Sequence, residues 1–168
     1  MRKYILLLPL LAIFFTSCAI QKTPVGPPKK VYLKPFDNTT VQYSLHGDLT
    51  GYVKDELLRE SNLKVVAEDE AEYIISGEIF NYELRPMSFD MNNKVESYDE
   101  LIDLKLRMKD VINNKTVLEE EINGDEIFFT KEGNSSETKT NAELEKDTQT
   151  TILQNMARDI TRKVIYGK

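Results

Sequence analysis

The side chains that most often perform chemistry are scarce in this sequence. Its 168 residues include one cysteine, Cys18, and one histidine, His46. With no second histidine, a zinc site would depend on scattered carboxylates. His46 could serve as a catalytic base only beside a hydroxyl and a carboxylate, and no Gly-x-Ser-x-Gly turn supports such a triad. We therefore expect no enzymatic activity, no bound metal and no cofactor, with His46 as a surface or helix-capping residue.

Cys18 lies in a segment whose residue order predicts a covalent modification. Two basic residues and about a dozen apolar ones come first, followed by two small residues and the cysteine, which is the layout of a secretory signal peptide. The apolar run is too short to span a bilayer, which takes about 20 residues. Residues 15–18, Phe-Thr-Ser-Cys, resemble the lipobox of bacterial lipoproteins, with Phe15 in place of the usual leucine. This implies that residues 1–17 are removed and that Cys18 is lipidated; the alternative is an ordinary signal peptide.

The residues after Cys18 predict a tethered domain. Ala19, rather than aspartate, follows the cysteine, and the sorting rule of such lipoproteins then implies export to the outer membrane. Acyl chains on the cysteine would hold the protein on the periplasmic side of that membrane without a spanning helix. Residues 18–30 contain three prolines and are interpreted as the anchored cysteine and a linker, and residues 31–168 as a single domain.

The charge of the chain argues against nucleic acid as a partner. Removal of the signal peptide would take away two basic residues and change the formal net charge from −6 to −8. Phosphate backbones are bound by clustered lysine and arginine, which so acidic a protein does not favour. With Cys18 consumed by lipid, no disulfide can form within the chain, and stability must come from packing.

Two segments have the apolar spacing of amphipathic helices. From Ser44, a candidate N-cap, leucine and valine recur at every fourth position as far as about Glu60. Near the C-terminus, Thr140 and Glu143 fit a capping box, and an apolar stripe of helical period follows as far as Val164. Both helices need an apolar surface to pack on.

The remaining elements supply that surface. The clearest strand is 102–109, in which apolar and charged residues alternate. Further strands are predicted at 31–36, 63–66, 72–84 and 117–122, and polar loops at 85–97 and 131–139. The order predicts an α+β two-layer sandwich, with two amphipathic helices packed on one face of a mixed or antiparallel sheet of four to five strands.

The polar face of the clearest strand is basic and could bind an anion through Lys105, Arg107 and Lys109. A three-residue loop at 113–115 would instead place Lys109 opposite Glu119 and Arg107 opposite Glu121. Such cross-strand pairs contribute roughly 0.2–1 kcal/mol each and would neutralise the face. We expect this self-satisfied arrangement, and a one-residue change of register would restore the anion site.

Several features together resemble the LptE family of lipopolysaccharide-assembly lipoproteins. They are the lipobox, the stretch VYLKPFDNTT before the first helix, the stretch LKVVAEDEAEYIISGEIFNYEL, the alternating strand, and NMARDITRKVI in the last helix. The resemblance covers nearly the whole chain after Cys18. It implies a two-helix, four-stranded sandwich, in which one of the predicted strands merges with its neighbour or forms a short edge.

The resemblance also implies a function. The protein would sit as a plug inside LptD, a large outer-membrane β-barrel protein, help that barrel to assemble, and bind lipopolysaccharide during its delivery to the outer leaflet. The family binds this ligand through basic residues near loop ends. The candidate ligand-binding residues are therefore Arg85, beside Pro86 and Met87, and Lys131, which follows two phenylalanines.

Two other classes of protein stay open. A lipoprotein of a secretion or envelope-structure system would act as a homo-oligomer, without a barrel partner. A small enzyme would need a pocket that holds His46 with a carboxylate and a hydroxyl.

Overall fold

The computed structural model describes residues 28–134 and 136–167. The strands are β1 (Lys29–Leu33), β2 (Asp37–Asn38), β3 (Leu63–Val65), β4 (Tyr73–Phe89), β5 (Val95–Asp110) and β6 (Lys115–Phe129). The helices are α1 (Leu45–Arg59) and α2 (Asn141–Tyr166), and a short 3₁₀ helix covers Glu68–Glu70. The predictions for the signal peptide, for Cys18 and for most of the linker lie outside the described residues.

The strands form one mixed sheet in the order β3-β1-β4-β5-β6, and β2 pairs with β4 beside this path. β1 runs parallel to β3 and β4, whereas β5 is antiparallel to both of its neighbours, β4 and β6. Both helices pack on one face of this sheet. The predicted α+β two-layer sandwich is confirmed, and the described part of the sheet has one strand more than expected.

The alternation of apolar and charged residues along β5 gives the sheet one apolar face, on which the core forms. Its apolar residues from Ile102 to Met108 face the helices and are buried, and the basic residues between them are exposed on the opposite face, here called the outer face. On the helices, the apolar stripes predicted from the sequence are buried against this surface. They are Leu45, Leu49, Val53 and Leu57 in α1, and Ile152, Leu153, Met156, Ala157, Ile160 and Val164 in α2.

The two helices begin differently. The capping box of α2 is present: the Glu143 backbone N–H donates to Thr140 Oγ1 at 3.3 Å, and the Thr140 N–H donates to Glu143 Oε2 at 2.8 Å. Ser44 occupies the N-cap position of α1, but its side chain makes no capping hydrogen bond because its backbone is already helical, with φ −79° and ψ −17°. Ser44 therefore occupies the predicted N-cap position, but it does not form the side-chain hydrogen bond of a cap.

The β4–β5 hairpin is much longer than the sequence indicates, and the loop predicted at 85–97 is wrong. β4 continues through Pro86 to Phe89, and only residues 90–94 turn the chain. The turn is held by Asp90, whose Oδ1 accepts the backbone N–H groups of Asn92 and Lys94, each at 2.8 Å. Pro86 is tolerated because β4 at this level pairs with β5 on one side only among the described strands.

The segment after β1 also differs from expectation. β1 ends at Leu33, before the end of the strand predicted at 31–36, and Pro35 lies just past it. The following Asp37 and Asn38 return to the sheet. They form β2, which pairs in parallel with Glu78 and Ile79 of β4. This two-residue strand is the element that the sequence missed.

The register of β5 and β6 is shifted by two residues from the prediction. Arg107 lies opposite Glu119, and Lys105 opposite Glu121. The observed turn at 111–114 alone would shift the register by three residues, and the bulge after Met108 reduces the shift to two. The expected partners were Lys109 for Glu119 and Arg107 for Glu121. An even shift keeps every side chain on its face, so the polar face is still made of opposite charges although the pairs are different.

Candidate functional site

The three longest strands continue past the core, and this extension is the candidate site. The core cluster ends at the row that joins Tyr82, Ile102 and Gly124 across β4, β5 and β6. Residues 83–101 and 125–129 lie beyond that row, and we call them the hairpin end. Among the described residues, none from the hairpin end belongs to the core cluster. Side chains there are available for contacts outside the domain.

Exposed apolar side chains collect at the hairpin end. The set is Met87, Phe89, Met91, Ile127 and Phe129, each about half exposed or more. Ile127 and Phe129 share one face of β6, since side chains two apart on a strand point the same way. Exposed apolar groups gathered in this way are a frequent mark of an interaction surface in a protein of this size.

The two adjacent phenylalanines of β6 have opposite environments. Phe128 is buried and stacks on Tyr98, with ring centroids 5.6 Å apart and planes at 27°. Phe129 points the other way and is 58% exposed. Phe128 therefore holds the hairpin end together, and Phe129 is the one that can meet a ligand.

Arg85 lies at the hairpin end in an acidic setting. Its guanidinium donates to Glu83 Oε2 at 2.6 Å, and both side chains are about half exposed. This contact raises the pKa of Arg85 and lowers the pKa of Glu83, with Asp99 and Asp103 adding to the effect on the arginine. An exposed pair of this kind contributes little to stability, so an anionic ligand could replace Glu83 at small cost.

Lys131 follows the end of β6 and is exposed. Its backbone N–H donates to Asn141 Oδ1 at 2.8 Å, which ties the start of the loop to the first residue of α2. The loop predicted at 131–139 is confirmed over its described residues. Arg85 belongs to the row that contains Asp99 and Ile127, and Lys131 lies beyond it at the same end of the sheet.

Glu100 is a buried acid that the sequence analysis did not single out. It is fully buried on the helix side of β5, and neither carboxyl oxygen has a hydrogen-bond donor in the described part of the chain. Burial raises the pKa of Glu100 to about 7, and the nearby Gln149 and Tyr82 offset this only in part. The sequence does contain a signal for this buried acid: if the alternation of β5 is extended two residues before Ile102, Glu100 falls on the apolar face.

Near Glu100, one side chain of the sheet, Tyr82, is hydrogen-bonded to two side chains of α2. The Tyr82 hydroxyl donates to Glu145 Oε1 at 2.8 Å and accepts from Gln149 Nε2 at 3.2 Å. Burial and the bond to Glu145 raise the pKa of Tyr82. A polar cluster thus joins the first turns of α2 to the boundary between the core and the hairpin end.

The outer face carries a shallow groove in which acidic side chains outnumber basic ones. The groove has a volume of about 510 Å³ and contains Lys34, Lys105 and Arg107 together with a larger number of carboxylates. Arg107 donates to Glu119 at 2.5 Å, and the Lys105 ammonium lies 4.6 Å from the centre of the Phe80 ring. The basic residues of this face are therefore occupied, which argues against an anion site here.

His46 lies alone near the start of α1. Its ring is exposed, and no carboxylate or hydroxyl is bonded to it in the described part of the chain. Its backbone carbonyl accepts a hydrogen bond from Thr50 Oγ1 at 2.6 Å, which is an ordinary contact within a helix. Within residues 28–134 and 136–167, no three histidine, cysteine or acidic side chains come together as a metal site would require.

Solved structures share this fold at low sequence identity. A Chlamydia trachomatis protein, CT253, matches with a TM-score of 0.58 and 12% identity, over 81% of this chain and 95% of that one. Lipoprotein B from Nitrosomonas europaea matches with a TM-score of 0.51 and 21% identity, over 84% and 87%. A PelC dodecamer from Paraburkholderia phytofirmans matches with a TM-score of 0.50 and 10% identity, over 82% and 90%. These likenesses concern the fold alone.

The fold is a small α+β domain, and the solved lipoprotein B of Nitrosomonas europaea shares it. Neither described helix is both long and apolar enough to cross a membrane. A family model described as LptE, lipopolysaccharide-assembly, matches residues 28–166. The chain belongs to the LptE family, as its sequence predicted. No curated protein matches the sequence.

Proposed function

We propose that this protein is an outer-membrane lipoprotein that plugs and helps to assemble an LptD-type β-barrel and binds lipopolysaccharide on its way to the outer leaflet. The observation that carries the proposal is the family match across the whole folded domain. Its anchor would be lipid on Cys18, and its domain would face the periplasm. Membership of a family that assembles lipopolysaccharide is consistent with a role in which no bond is made or broken.

The hairpin end suits a lipid that carries phosphates. Lipopolysaccharide combines phosphate groups with acyl chains, so its site should place cations beside apolar side chains. Arg85 has Met87 two residues away, and Lys131 follows the exposed Phe129 in the same way. Arg85 would exchange its contact with Glu83 for a phosphate oxygen, and the half-exposed side chains would meet the acyl chains.

The first experiment is to identify what the protein binds in its own membrane. A tag on the C-terminus, extraction of outer membranes in mild detergent and affinity purification should recover one large β-barrel protein in stoichiometric amount. Recovery of the lipoprotein alone would contradict the barrel proposal. The matched control is the same tag on a Cys18→Ser variant, which would lack the anchor and should appear in the soluble periplasmic fraction.

A second candidate function is that of a self-assembling envelope lipoprotein. The observation in its favour is the likeness of this fold to a protein crystallised as a PelC dodecamer. This candidate expects the purified mature protein to form rings or stacks with no barrel present. Molecular mass by light scattering in detergent separates the two candidates, because the plug proposal expects a single copy until the barrel is added.

A further inference from the structure

The last strand of the sheet has one side without a partner. β6 stands at the end of the strand order, and within residues 28–134 and 136–167 it pairs with β5 alone. The edge of a sheet offers its backbone N–H and C=O groups to any extended chain that reaches it. We call this unpaired side of β6 the free edge.

The hydrogen bond that continues the β5–β6 ladder shows which residues form the free edge. The N–H of Thr130 donates to the carbonyl of Glu96 at 2.8 Å, so residue 130 turns its backbone groups towards β5. The register is unbroken from Leu118 to Phe129, and backbone directions alternate along an antiparallel strand. Even-numbered residues therefore bond to β5, and the odd-numbered ones form the free edge: Glu119, Glu121, Asn123, Asp125, Ile127 and Phe129.

The free edge has few of the features that usually protect the edge of a sheet. Such edges are commonly short, interrupted by proline or a bulge, or covered by another element. β6 has 15 residues and no proline, and its one bulge lies at Val117, before the free edge begins. The row of unpaired groups is roughly 34 Å long, which is enough for an added strand of several residues.

The charge of the strand restricts which chain can pair with it. Residues 118–129 contain five carboxylates and no basic side chain. Two of the carboxylates are paired with basic residues of β5 and α2, and three have no ion pair in the described part of the chain: Glu121, Asp125 and Glu126. Like charges on adjacent strands are destabilising, whereas opposite charges stabilise the pair. The free edge therefore disfavours a second copy of this chain and favours a basic strand.

A groove of about 190 Å³ lies between β6 and α2 and includes part of the free edge. It is lined by apolar side chains, among them Ile122 and Met156, and by the carboxylates of Asp125 and Asp159. Asp159 is already bonded to Arg162, so Asp125 is the carboxylate that is available. In a strand added at the free edge, every second side chain would point towards the helices and this groove. An apolar or basic side chain fits there.

We infer that the free edge of β6 binds an extended segment of a partner protein as an additional strand, and that this segment carries lysine or arginine. Recognition of this kind takes its affinity from backbone hydrogen bonds and its specificity from alternate side chains. The inference rests on the proposed function, in which the partner is the barrel protein that encloses the domain. The strands of a closed barrel are paired on both sides, so the segment must lie in one of the barrel's loops or outside its wall.

The test compares Asp125→Pro with its matched control, Asp125→Ala. Proline removes one N–H from the free edge, and an edge strand tolerates it where that N–H faces outward. Alanine removes the same carboxylate and keeps the N–H. Each full-length, lipidated variant carries a C-terminal tag, and the barrel protein recovered with it from outer membranes is quantified. Thermal unfolding of the purified proteins checks that both variants are folded.

The expected result is that Asp125→Pro recovers about fivefold less barrel protein than the natural chain, since it loses a backbone hydrogen bond to the partner. Asp125→Ala should lose about twofold, because an exposed charge contributes less. Equal recovery with the natural chain and both variants would overturn the inference and leave the proposed function standing. If the natural chain recovers no barrel protein, the proposed function is wrong and the inference is wrong with it.

Photo-crosslinking provides a second measurement that does not depend on the proline variant. A photoreactive residue is introduced singly at Asn123, Asp125 or Ile127, and the attached peptides are identified by mass spectrometry. Paired strands require that these three sites attach to one basic segment of the barrel protein, at positions two residues apart. Val41, exposed in the loop before α1, is the control site and should not reach that segment. Attachment to scattered positions, to a second copy of this chain, or to nothing would overturn the inference.

Discussion

At the scale of single residues, the buried Glu100 connects protonation to stability. Its folded pKa, about 7, lies above the ordinary value of 4.5, so the folded protein binds a proton that the unfolded protein has released between these pH values. Stability should therefore fall as pH rises through this range, by up to about 3 kcal/mol. The groups facing Glu100 are Tyr82, Gln149, Glu145 and Lys146, and of these only Lys146 is a cation that favours the charged form.

The corresponding prediction concerns Glu100→Gln. The amide keeps the shape of the side chain and cannot ionise, so the variant should gain stability over the natural protein at pH 8 and gain much less at pH 5. Urea unfolding at the two pH values measures the difference. Glu126→Gln, which changes the exposed neighbour of Glu100 on β6, is the matched control. Equal effects of Glu100→Gln at both pH values would contradict the raised pKa.

The basic residues of the hairpin end give a second prediction at this scale. Arg85→Ala and Lys131→Ala should each weaken binding of purified lipopolysaccharide about tenfold, because each removes one charge-assisted hydrogen bond to a phosphate. Glu83→Gln should strengthen binding, since it frees Arg85 from its present partner. Binding can be measured by displacement of a fluorescent lipopolysaccharide.

The control for these variants is Lys115→Ala, which removes a lysine at the opposite end of the sheet. It should leave the affinity unchanged. If all three lysine and arginine variants weaken binding alike, the ligand responds to overall charge and the proposed site is wrong.

At the scale of elements, the contact between β6 and α2 depends on a glycine. A Cβ built on Gly124 would lie 2.6 Å from Ile152 Cγ2 and 2.9 Å from Met156 Cγ. Those two side chains belong to the apolar stripe that fixes α2 on the sheet. Glycine at this position therefore sets how closely the helix can approach the edge strand.

We predict that Gly124→Ala destabilises the domain by about 1–3 kcal/mol, because the methyl group has no space unless the Ile152 and Met156 side chains shift. Gly51→Ala is the matched control: nothing lies within 4 Å of its added Cβ, and the site is inside α1. It should stabilise the protein by roughly 0.5–1 kcal/mol through helix propensity. Thermal unfolding of both variants gives the comparison, and a Gly124→Ala protein as stable as the natural one would contradict the packing described here.

At the scale of the whole molecule, the core that stabilises the domain and the surface proposed to contact the ligand are separated in space. The core lies between the helices and the lower part of the sheet, whereas the exposed apolar residues of the hairpin end contribute nothing to the core cluster. The two ends of the sheet also differ, since β1, the first strand of the domain, begins at one end and the exposed apolar residues of the hairpin end lie at the other. A plug that delivers lipid across a barrel needs such a division.

This division predicts the behaviour of a double variant, Phe89→Ser with Phe129→Ser. Both side chains are exposed, so the unfolding temperature should change little, while binding of lipopolysaccharide should fall because its acyl chains lose their contacts. The matched control is Val41→Ser with Tyr43→Ser, which changes two exposed apolar residues in the loop before α1. Loss of binding in both double variants, or in neither, would refute a site at the hairpin end.

Much of the architecture could be predicted from local sequence. The capping box at Thr140, the stripes of both helices and the alternation of β5 all depend on neighbours within a few residues, and each is confirmed. The length of the β4–β5 hairpin could not be predicted in this way. Pro86 and two adjacent asparagines have the composition of a loop, and they enter a strand and a tight turn only because β5 supplies partners across the sheet.

For the candidate site, too, some features could be predicted from the sequence and others could not. Sequence by itself determined the fold class and the two helices, because these follow from periodicity, and its resemblance to the LptE family supplied the family and the basic residues worth testing. Only the tertiary structure decided that Phe128 is buried and Phe129 exposed, that Arg85 already holds Glu83, and that the buried carboxyl of Glu100 has no hydrogen-bond donor among the described residues. It also decided the register that pairs Arg107 with Glu119. These facts depend on which strands lie side by side and where the helices end above them, and contacts between residues distant in the chain are set by the packing of the whole domain.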